Sequence, residues 1–215
     1  MIIVIYILLG VFTIAKIVEM FTCKKNNLFD IYIGIPGSGK TTFAAWLTKK
    51  DLKKKRKVYS NVPIKDTYKI EKKDIGNYLL EHGSLIIDEA GIEYNNRNSS
   101  KKNSKNYMSD EEIKFYKYHR HFDMDVHVFS QALDVDITLR RLSSEIYLVK
   151  KSFIPFCIKR KRILYRIGID KETRQLRDEY YFQLFGFRYI FSPKLWKMFN
   201  SHTTYELPKK DFEKY

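Results

Sequence analysis

The sequence predicts an α/β fold in which three αβα layers surround a mostly parallel sheet. Three observations indicate it: a short strand that runs into a glycine-rich loop and a helix, an apolar strand that ends in two carboxylates, and a third strand that ends in two polar residues. An N-terminal apolar helix and a small β-rich C-terminal extension are expected to flank the core. We expect the helix over residues 1–23, the core over 28–152 and the extension over 153–215.

The glycine-rich loop follows the strand FDIYI and reads GIPGSGKT over residues 34–41. This is the complete G-x-x-x-x-G-K-[ST] pattern of a P-loop NTPase, and apolar residues at helical spacing come after it. In such a loop the backbone N–H groups face the phosphates, Lys40 reaches the β- and γ-phosphates, and the Thr41 hydroxyl ligates Mg²⁺. The sequence therefore predicts binding of ATP and Mg²⁺ through Gly34, Pro36, Gly37, Ser38, Gly39, Lys40, Thr41 and Thr42.

The apolar strand at residues 84–87 ends in Asp88 and Glu89. Ligands of parallel sheets sit at the carboxyl ends of the strands, so both carboxylates are expected at the nucleotide. Asp88 is predicted to hold Mg²⁺ through its water shell, and Glu89 to act as general base on an attacking water. An Asp–Glu pair also closes many strands as a plain surface pair, but the P-loop earlier in the chain favours the functional interpretation. Such a pair is typical of P-loop ATPases with a catalytic glutamate, as opposed to GTPases.

The third strand contains Val126, Val128 and Phe129 and ends in Ser130 and Gln131. In ATPases of this branch a strand lies between the P-loop strand and the acidic strand. A polar residue at the tip of that strand can touch the γ-phosphate or the attacking water. We therefore predict that Gln131 acts as a sensor of the nucleotide.

Two further helices are predicted, one opened by Ser109 and running to about residue 121, and a short one over residues 136–142. They carry three arginines that we expect near the edge of the nucleotide site. An arginine finger that completes a neighbouring subunit's site is one function for them, and exposed or fold-stabilising arginines are the alternative. The candidates are Arg120, Arg140 and Arg141.

The remaining strands are predicted at residues 146–149 and as a hairpin formed by residues 157–168 and 180–187. The first hairpin strand is strongly basic. The chain as a whole has 40 Lys and Arg against 25 Asp and Glu, a net charge of +15. Such an excess favours a polyanionic partner, either nucleic acid or anionic lipid, although a generally lysine-rich composition explains it equally well.

The N-terminal segment is apolar to residue 23 and is interrupted only by Lys16 and Glu19, which can pair on one helical face. A helix that crosses a bilayer needs about 20 residues. The alternatives to a membrane helix are a signal peptide and a buried strand. A signal peptide would have a basic start and a small-residue cleavage site. Lys24 and Lys25 follow the segment and nothing basic precedes it, so we expect one membrane pass with the following domain in the cytoplasm.

Longer stretches of the sequence resemble one family. They are GIPGSGKTT, YSNVPI at residues 59–64, LIIDEAG at 85–91, KYHRHFDMDVHVFSQ at 117–131, DVDITLRRL at 134–142 and MFNSHTTYEL at 198–207. Together they resemble the ATPase domain of zonula occludens toxin (Zot)-like proteins, the morphogenesis ATPases of filamentous phages (inoviruses). The resemblance covers roughly residues 30–205. The HRH-to-SQ stretch and NSHTTYEL are more specific than the nucleotide motifs.

The resemblance implies an ATPase of the FtsK–HerA kind, a ring-shaped homo-oligomer at the inner (cytoplasmic) membrane of a host. It would couple ATP hydrolysis to export of phage DNA in single-stranded form and to virion assembly, with other phage assembly or coat proteins as partners. Members of the family carry their membrane helix after the ATPase domain, whereas here the apolar segment comes first. Two other functions remain open: a genome-packaging ATPase of another membrane-associated phage, and a nucleotide-dependent membrane scaffold with little hydrolysis.

Overall fold

A single eight-stranded sheet organises the part of the chain that the computed structural model describes, which is Tyr6 and residues 9–15, 27–94, 108–132, 135–169 and 176–199. The strand order is β3-β2-β4-β5-β1-β6-β7-β8. The strands are β1 Phe29–Ile33, β2 Lys57–Ser60, β3 Tyr68–Lys69, β4 Gly83–Ile87, β5 Met124–Ser130, β6 Glu145–Lys151, β7 Cys157–Ile169 and β8 Leu176–Phe191.

Strands β1 to β6 are parallel, and β7 and β8 are antiparallel to their neighbours. The α-helices that follow the first strands are α1 Lys40–Lys53, α2 Ala90–Glu93, α3 Asp110–Tyr118 and α4 Ile137–Leu142. Three 3₁₀ segments add Lys72–Asp74, His119–Phe122 and Pro193–Met198. The mostly parallel α/β sheet predicted from the sequence is thereby confirmed, and β5 lies between β1 and β4 as expected.

The core lies on both faces of the sheet, because every residue of β1 and β4 is buried. Strands covered on both faces are continuous apolar runs rather than alternating ones, which is why FDIYI and SLII are recognisable in the sequence. One face packs Phe29 and Ile31 against α3 and α4 through Tyr116 and Leu139. The other face packs against α1. These two layers of helix around the sheet give the three-layer arrangement.

The two later helices begin where the sequence predicted. Ser109 Oγ accepts a hydrogen bond from Glu112 N at 3.1 Å, and the Glu112 carboxylate accepts one from Ser109 N at 2.8 Å, a reciprocal cap for α3. Asp136 Oδ1 accepts from Thr138 N at 2.7 Å and caps α4. Helix α3 ends at Tyr118, and the chain continues as a 3₁₀ helix to Phe122. The helical segment therefore extends to the predicted end near residue 121, and only the type of helix differs there.

The C-terminal hairpin continues the core sheet. Strand β7 pairs with β6 from Ile146 opposite Ile163 to Lys151 opposite Ile158, so the predicted boundary between residues 152 and 153 falls within one sheet. Residues 170–175, between the two strands of the predicted hairpin, lie outside the described residues. The sequence did not indicate β2 and β3, because both are short and the two residues of β3 are exposed.

The predicted membrane helix over residues 1–23 lies largely outside the described residues. Its described part, Tyr6 and residues 9–15, is helical and exposed. Among the helices of the described residues, none combines the length and the apolar composition that crossing a bilayer requires.

Candidate nucleotide-binding site

The glycine-rich loop lies at the carboxyl end of β1, where Gly34 N donates to Ser130 O of β5 at 3.1 Å. Gly37 and Gly39 have φ values of 72° and 100°, a left-handed backbone that glycine adopts without strain. Gly39 O then accepts from Phe43 N at 2.9 Å, which begins α1. The loop therefore leads directly into the N-terminus of a helix, the arrangement that binds phosphates.

Lys40 is held at the centre of this loop. Its Nζ donates to the carbonyl oxygens of Gly34 at 2.6 Å and Ile35 at 3.3 Å. Burial lowers the pKa of Lys40, and the nearby Asp88 and Glu89 oppose that shift. An ammonium that is poorly solvated gains more from a polyphosphate than one in open water, because its charge is already stripped of solvent.

Thr41 and Asp88 meet beside the loop, where the Thr41 hydroxyl donates to Asp88 Oδ2 at 3.3 Å. Burial raises the pKa of Asp88, while the hydrogen bond from Glu89 N and the charge of Lys40 act in the opposite direction. A hydroxyl and a carboxylate are oxygen ligands of the kind that Mg²⁺ prefers, and they lie at the phosphate-binding loop. These residues fit the predicted Mg²⁺ site.

Glu89 and Gln131 border the same space and are both exposed. Glu89 has a φ of 55°, a left-handed conformation that is uncommon for a residue with a side chain and that occurs often at functional sites. Gln131 follows the last residue of β5 directly. Their positions agree with a general base and a sensor, and those roles remain predictions.

A cavity of about 530 Å³ joins these residues. The structure brings together nine of the predicted site residues along its wall: Pro36, Gly37, Gly39, Lys40, Thr41, Thr42, Asp88, Glu89 and Gln131. Gly34 and Ser38 belong to the loop but do not line the cavity, and Ser38 is only 4% exposed. The opposite wall comes from the loop between β6 and β7 and from the C-terminal 3₁₀ segment, which the sequence did not indicate.

Asn61 is a site residue that the sequence-based reasoning missed. Its Nδ2 donates to Asp88 O at 2.9 Å, and its Oδ1 accepts from Asp88 N at 2.8 Å. The Asn61 side chain thus pairs with the main chain of Asp88 as a neighbouring strand would. It thereby fixes the backbone position from which the Asp88 carboxylate extends. The available signal was the stretch YSNVPI, which contains this asparagine, although the strand before it was not indicated by the sequence.

The expected position of Arg120 near the nucleotide site is wrong. Arg120 lies in the 3₁₀ turn before β5, and its carbonyl accepts from Asn27 Nδ2, just ahead of β1. The seven residues of β5 separate this turn from Gln131, roughly 20 Å at the rise of an extended strand. Arg120 is therefore at the amino edge of the sheet, opposite the phosphate loop.

Arg140 and Arg141 also lie away from the nucleotide site of the same chain. Helix α4 leads back to the amino edge, because Ser144 N, just after it, donates to Phe29 O of β1 at 2.6 Å. Arg140 is half-buried and donates from Nη1 to Tyr180 OH at 3.0 Å, whereas Arg141 is exposed. The sequence placed them past the tip of β5 without showing that the chain turns back. Action on a neighbouring subunit stays a prediction.

A second polar group lies under α1, where ligand atoms of Asp51, Asp125 and His127 are all within 4.8 Å of one another. Arg56 forms an ion pair with Asp125. Burial lowers the pKa of His127 to about 4, so its imidazole is neutral at physiological pH. Since Arg56 already supplies a positive charge, we interpret this group as a buried ion-pair network of the fold.

The parallel sheet, the glycine-rich loop and the Thr41–Asp88 contact define the fold and site of a P-loop NTPase. No protein-family model and no curated protein matches the sequence. Among solved structures, the chain is similar to the N-terminal domain of zonular occludens toxin from Neisseria meningitidis. The identity is 17% and the TM-score 0.54, over 82% of this chain and 100% of that one. The resemblance expected from the sequence is confirmed at the level of the fold.

A more distant similarity is to the genome packaging NTPase B204 from Sulfolobus turreted icosahedral virus 2 in complex with AMP. The identity is 11% and the TM-score 0.42, over 71% of this chain and 96% of that one.

Proposed function

We propose that this chain is a Mg²⁺-dependent ATPase that drives DNA export and virion assembly of a filamentous phage from the host inner membrane. The observation that carries the enzymatic part is the convergence of Lys40, Thr41, Asp88 and Glu89 on one cavity at the carboxyl edge of the sheet. The biological setting rests on the sequence stretches that resemble Zot-like proteins and on the shared fold with a Zot N-terminal domain.

Each site residue has a defined part in this proposal. The loop N–H groups and Lys40 hold the phosphates and offset their charge, and Thr41 and Asp88 are the residues that would hold Mg²⁺. Glu89 accepts a proton from the attacking water, whose oxygen bonds to the γ-phosphorus while the bond to the β–γ bridging oxygen breaks and ADP leaves. Gln131 orients that water or the γ-phosphate. When bound there, Mg²⁺ would neutralise part of the charge of the phosphates.

The test is release of phosphate by the purified chain, measured alone and with single-stranded or double-stranded DNA. We expect Lys40→Ala to lose nucleotide binding or turnover, and Glu89→Gln to bind ATP without hydrolysing it. Wild-type turnover by Glu89→Gln in a single-turnover assay would refute the general-base assignment. ATP binding without phosphate release by the wild type would favour the scaffold, and stimulation by double-stranded DNA alone would favour genome packaging.

A basic and aromatic surface on the hairpin supports a nucleic-acid partner. We call Lys150, Lys159, Lys161, Phe187 and Tyr189 the basic hairpin face. Lys159 lies opposite both Lys150 and Tyr189, and Lys161 opposite Phe187, so all five side chains share one face. Lys159 Nζ is 4.8 Å from the centre of the Phe187 ring and 5.2 Å from that of Tyr189. Positive charge beside aromatic rings is the combination that binds single-stranded nucleic acid.

Two other basic residues of β7, Arg160 and Arg162, have partners within the chain. Arg160 stacks on the Tyr147 ring at 3.9 Å, and Arg162 Nη2 lies 2.8 Å from Glu145 Oε1. Both point to the opposite face of the sheet. Only part of the basic character of this strand is therefore available to DNA.

Lys159→Ala combined with Lys161→Ala should weaken binding of single-stranded DNA and abolish its stimulation of phosphate release. Loss of two phosphate contacts should reduce the slope of log K against log salt by about 1.4. The control is Lys54→Ala with Lys55→Ala, two exposed lysines after α1. Equal loss in both double variants would show that only overall charge matters and would refute the surface assignment.

The membrane part of the proposal rests on the apolar N-terminal segment and the two lysines after it. Deletion of residues 1–23 should release the chain from membranes in cell fractionation. A reporter enzyme fused after Tyr215 should read as cytoplasmic. Detection of that reporter outside the cytoplasm would overturn the orientation.

A further inference from the structure

The wall of the cavity that faces the phosphate loop contains an aromatic corner. Phe156, in the loop between β6 and β7, and Trp196, in the C-terminal 3₁₀ segment, both line the cavity. Their ring centroids are 6.2 Å apart at an interplanar angle of 59°. Phe156 is 60% exposed and Trp196 is 50% exposed, so each ring keeps a large open surface.

This corner is held in place by hydrogen bonds on both sides. Buried Ser192 donates to Phe156 O from its N at 2.9 Å and from its Oγ at 2.6 Å. Ser152 N donates to Cys157 O at 3.0 Å and closes the base of the loop. Phe156 has a φ of 59°, a left-handed backbone that a bulky residue adopts only where its surroundings enforce it. The backbone that carries Phe156 is therefore fixed, and it is tied to Ser192 at the start of the segment that carries Trp196.

The strand that follows Phe156 begins directly against the phosphate loop. A Cβ added at Gly39 would approach Ile158 Cδ1 to 2.8 Å, so the start of β7, two residues after Phe156, touches the start of α1. In the sheet order, β4 and β5 lie on one side of β1 and β6 and β7 on the other. Asp88, Glu89 and Gln131 follow β4 and β5, which places the terminal phosphate on that side. The nucleoside must then extend toward β6 and β7, where Phe156 lies.

The geometry points to Phe156 and Trp196 as the subsite for the base of the nucleoside triphosphate. The inference rests on the proposed nucleotide-binding function and adds what holds the nucleoside. Because the two rings meet at an angle, the base stacks on one ring and meets the edge of the other. A cavity of about 530 Å³ lies within the range of small-molecule sites, roughly 300–1,000 Å³, and has room beside the phosphates. Stacking accepts any base, so ATP and GTP should depend on these rings alike.

The test compares ATP, GTP and inorganic tripolyphosphate, which has the phosphates and no base, in equilibrium binding to the full chain. Phe156→Ala and Trp196→Ala should each weaken ATP and GTP about 10-fold or more and leave tripolyphosphate affinity unchanged. Phe156→Tyr and Trp196→Phe keep a stacking ring and should bind ATP as the wild type does. The matched control is Phe153→Ala, because Phe153 lies in the same loop, is 88% exposed and does not line the cavity.

The outcomes separate the two levels of the proposal. The wild-type chain is expected to bind both ATP and tripolyphosphate. If it does and the ATP affinity of Phe156→Ala and Trp196→Ala is unchanged, the base subsite is refuted and the proposed function stands. An equal loss of ATP and tripolyphosphate in these variants would also overturn it, since the rings would then support only the loop. A wild-type chain that binds neither ligand would refute the proposed function itself.

Discussion

Replacement of Asn61 by alanine removes two hydrogen bonds that hold the main chain of Asp88, at 2.9 and 2.8 Å. Asp88 is only 6% exposed, so solvent cannot readily replace these partners. A buried backbone group left without a partner costs about 1–3 kcal/mol, so the two together should lower the free energy of unfolding by roughly 2–6 kcal/mol. The Asp88 carboxylate would also be less well positioned, because the backbone that carries it would no longer be held.

The functional consequence should be seen in the Mg²⁺ requirement. Partners that orient a metal-holding residue are worth about 10- to 100-fold in metal affinity or activity, so the Mg²⁺ concentration for half-maximal phosphate release should rise by about that factor. Urea unfolding without nucleotide measures the stability, and phosphate release against Mg²⁺ concentration measures the site.

Asn77→Ala is the matched control, because Asn77 is exposed and its Nδ2 donates to one local carbonyl, Lys73 O at 2.7 Å. We expect it to change stability by no more than about 0.5 kcal/mol and to leave the Mg²⁺ requirement unchanged. An Asn61→Ala protein with a wild-type Mg²⁺ requirement would refute the positioning role, even if its stability falls.

Three further predictions concern the core, the loop and the subunit interface. Burial, with nearby Glu145, raises the pKa of Asp30 to about 7, so its native carboxyl keeps a proton that the unfolded chain loses near pH 4. The free energy of unfolding should therefore fall by up to roughly 4 kcal/mol as the pH rises from about 4 to 7. Urea unfolding of Asp30→Asn should show no such fall with pH. Stability-versus-pH profiles that run parallel in the wild type and the variant would contradict this. Gly39→Ala should abolish ATP binding in a direct assay, because φ is 100° and the new Cβ would meet Ile158, and wild-type affinity would show that the loop adapts. If Arg120, Arg140 or Arg141 acts on a neighbouring subunit, its alanine variant should be inactive alone and regain ATPase activity with excess Lys40→Ala chains. Normal ATP hydrolysis by all three variants, or an active monomer, would refute a nucleotide site shared between subunits.

The part of the site that could be predicted is contained in short, continuous segments. The residues from Gly34 to Thr41 form a loop by themselves, since glycines at 37 and 39 meet a backbone requirement that lies within the loop. Asp88 was predictable because a buried strand ends directly before it and parallel strands end at a common edge. Chain-local geometry and the strand pattern were sufficient for both.

The arginines show where such reasoning fails. Arg140 follows the tip of β5 closely in sequence, yet α4 carries it back to the amino edge and to Tyr180 of β8. The direction of a connecting helix depends on which face it packs against, and the residues of the helix alone do not specify that. The position of Arg120 was predicted wrongly for a related reason. Arg120 is close to β5 in sequence, but it precedes the strand, whereas the nucleotide site lies at the other end of it.

By itself, the sequence determined the phosphate loop, the acidic strand and the mostly parallel sheet, because each depends on a local motif or on apolar runs. The central position of β5 was predicted from the branch of ATPases that these motifs indicate. Only the tertiary structure decided that Asn61 holds Asp88 and that Phe156 and Trp196 close the opposite wall of the cavity. These residues come from segments far apart in the chain. Asn61 and Asp88 meet because β2 pairs with β4, and Phe156 and Trp196 meet because β7 and β8 extend the sheet and return the C-terminal segment to α1. Side chains that meet across such distances leave no periodicity or spacing in the sequence from which the meeting could be read.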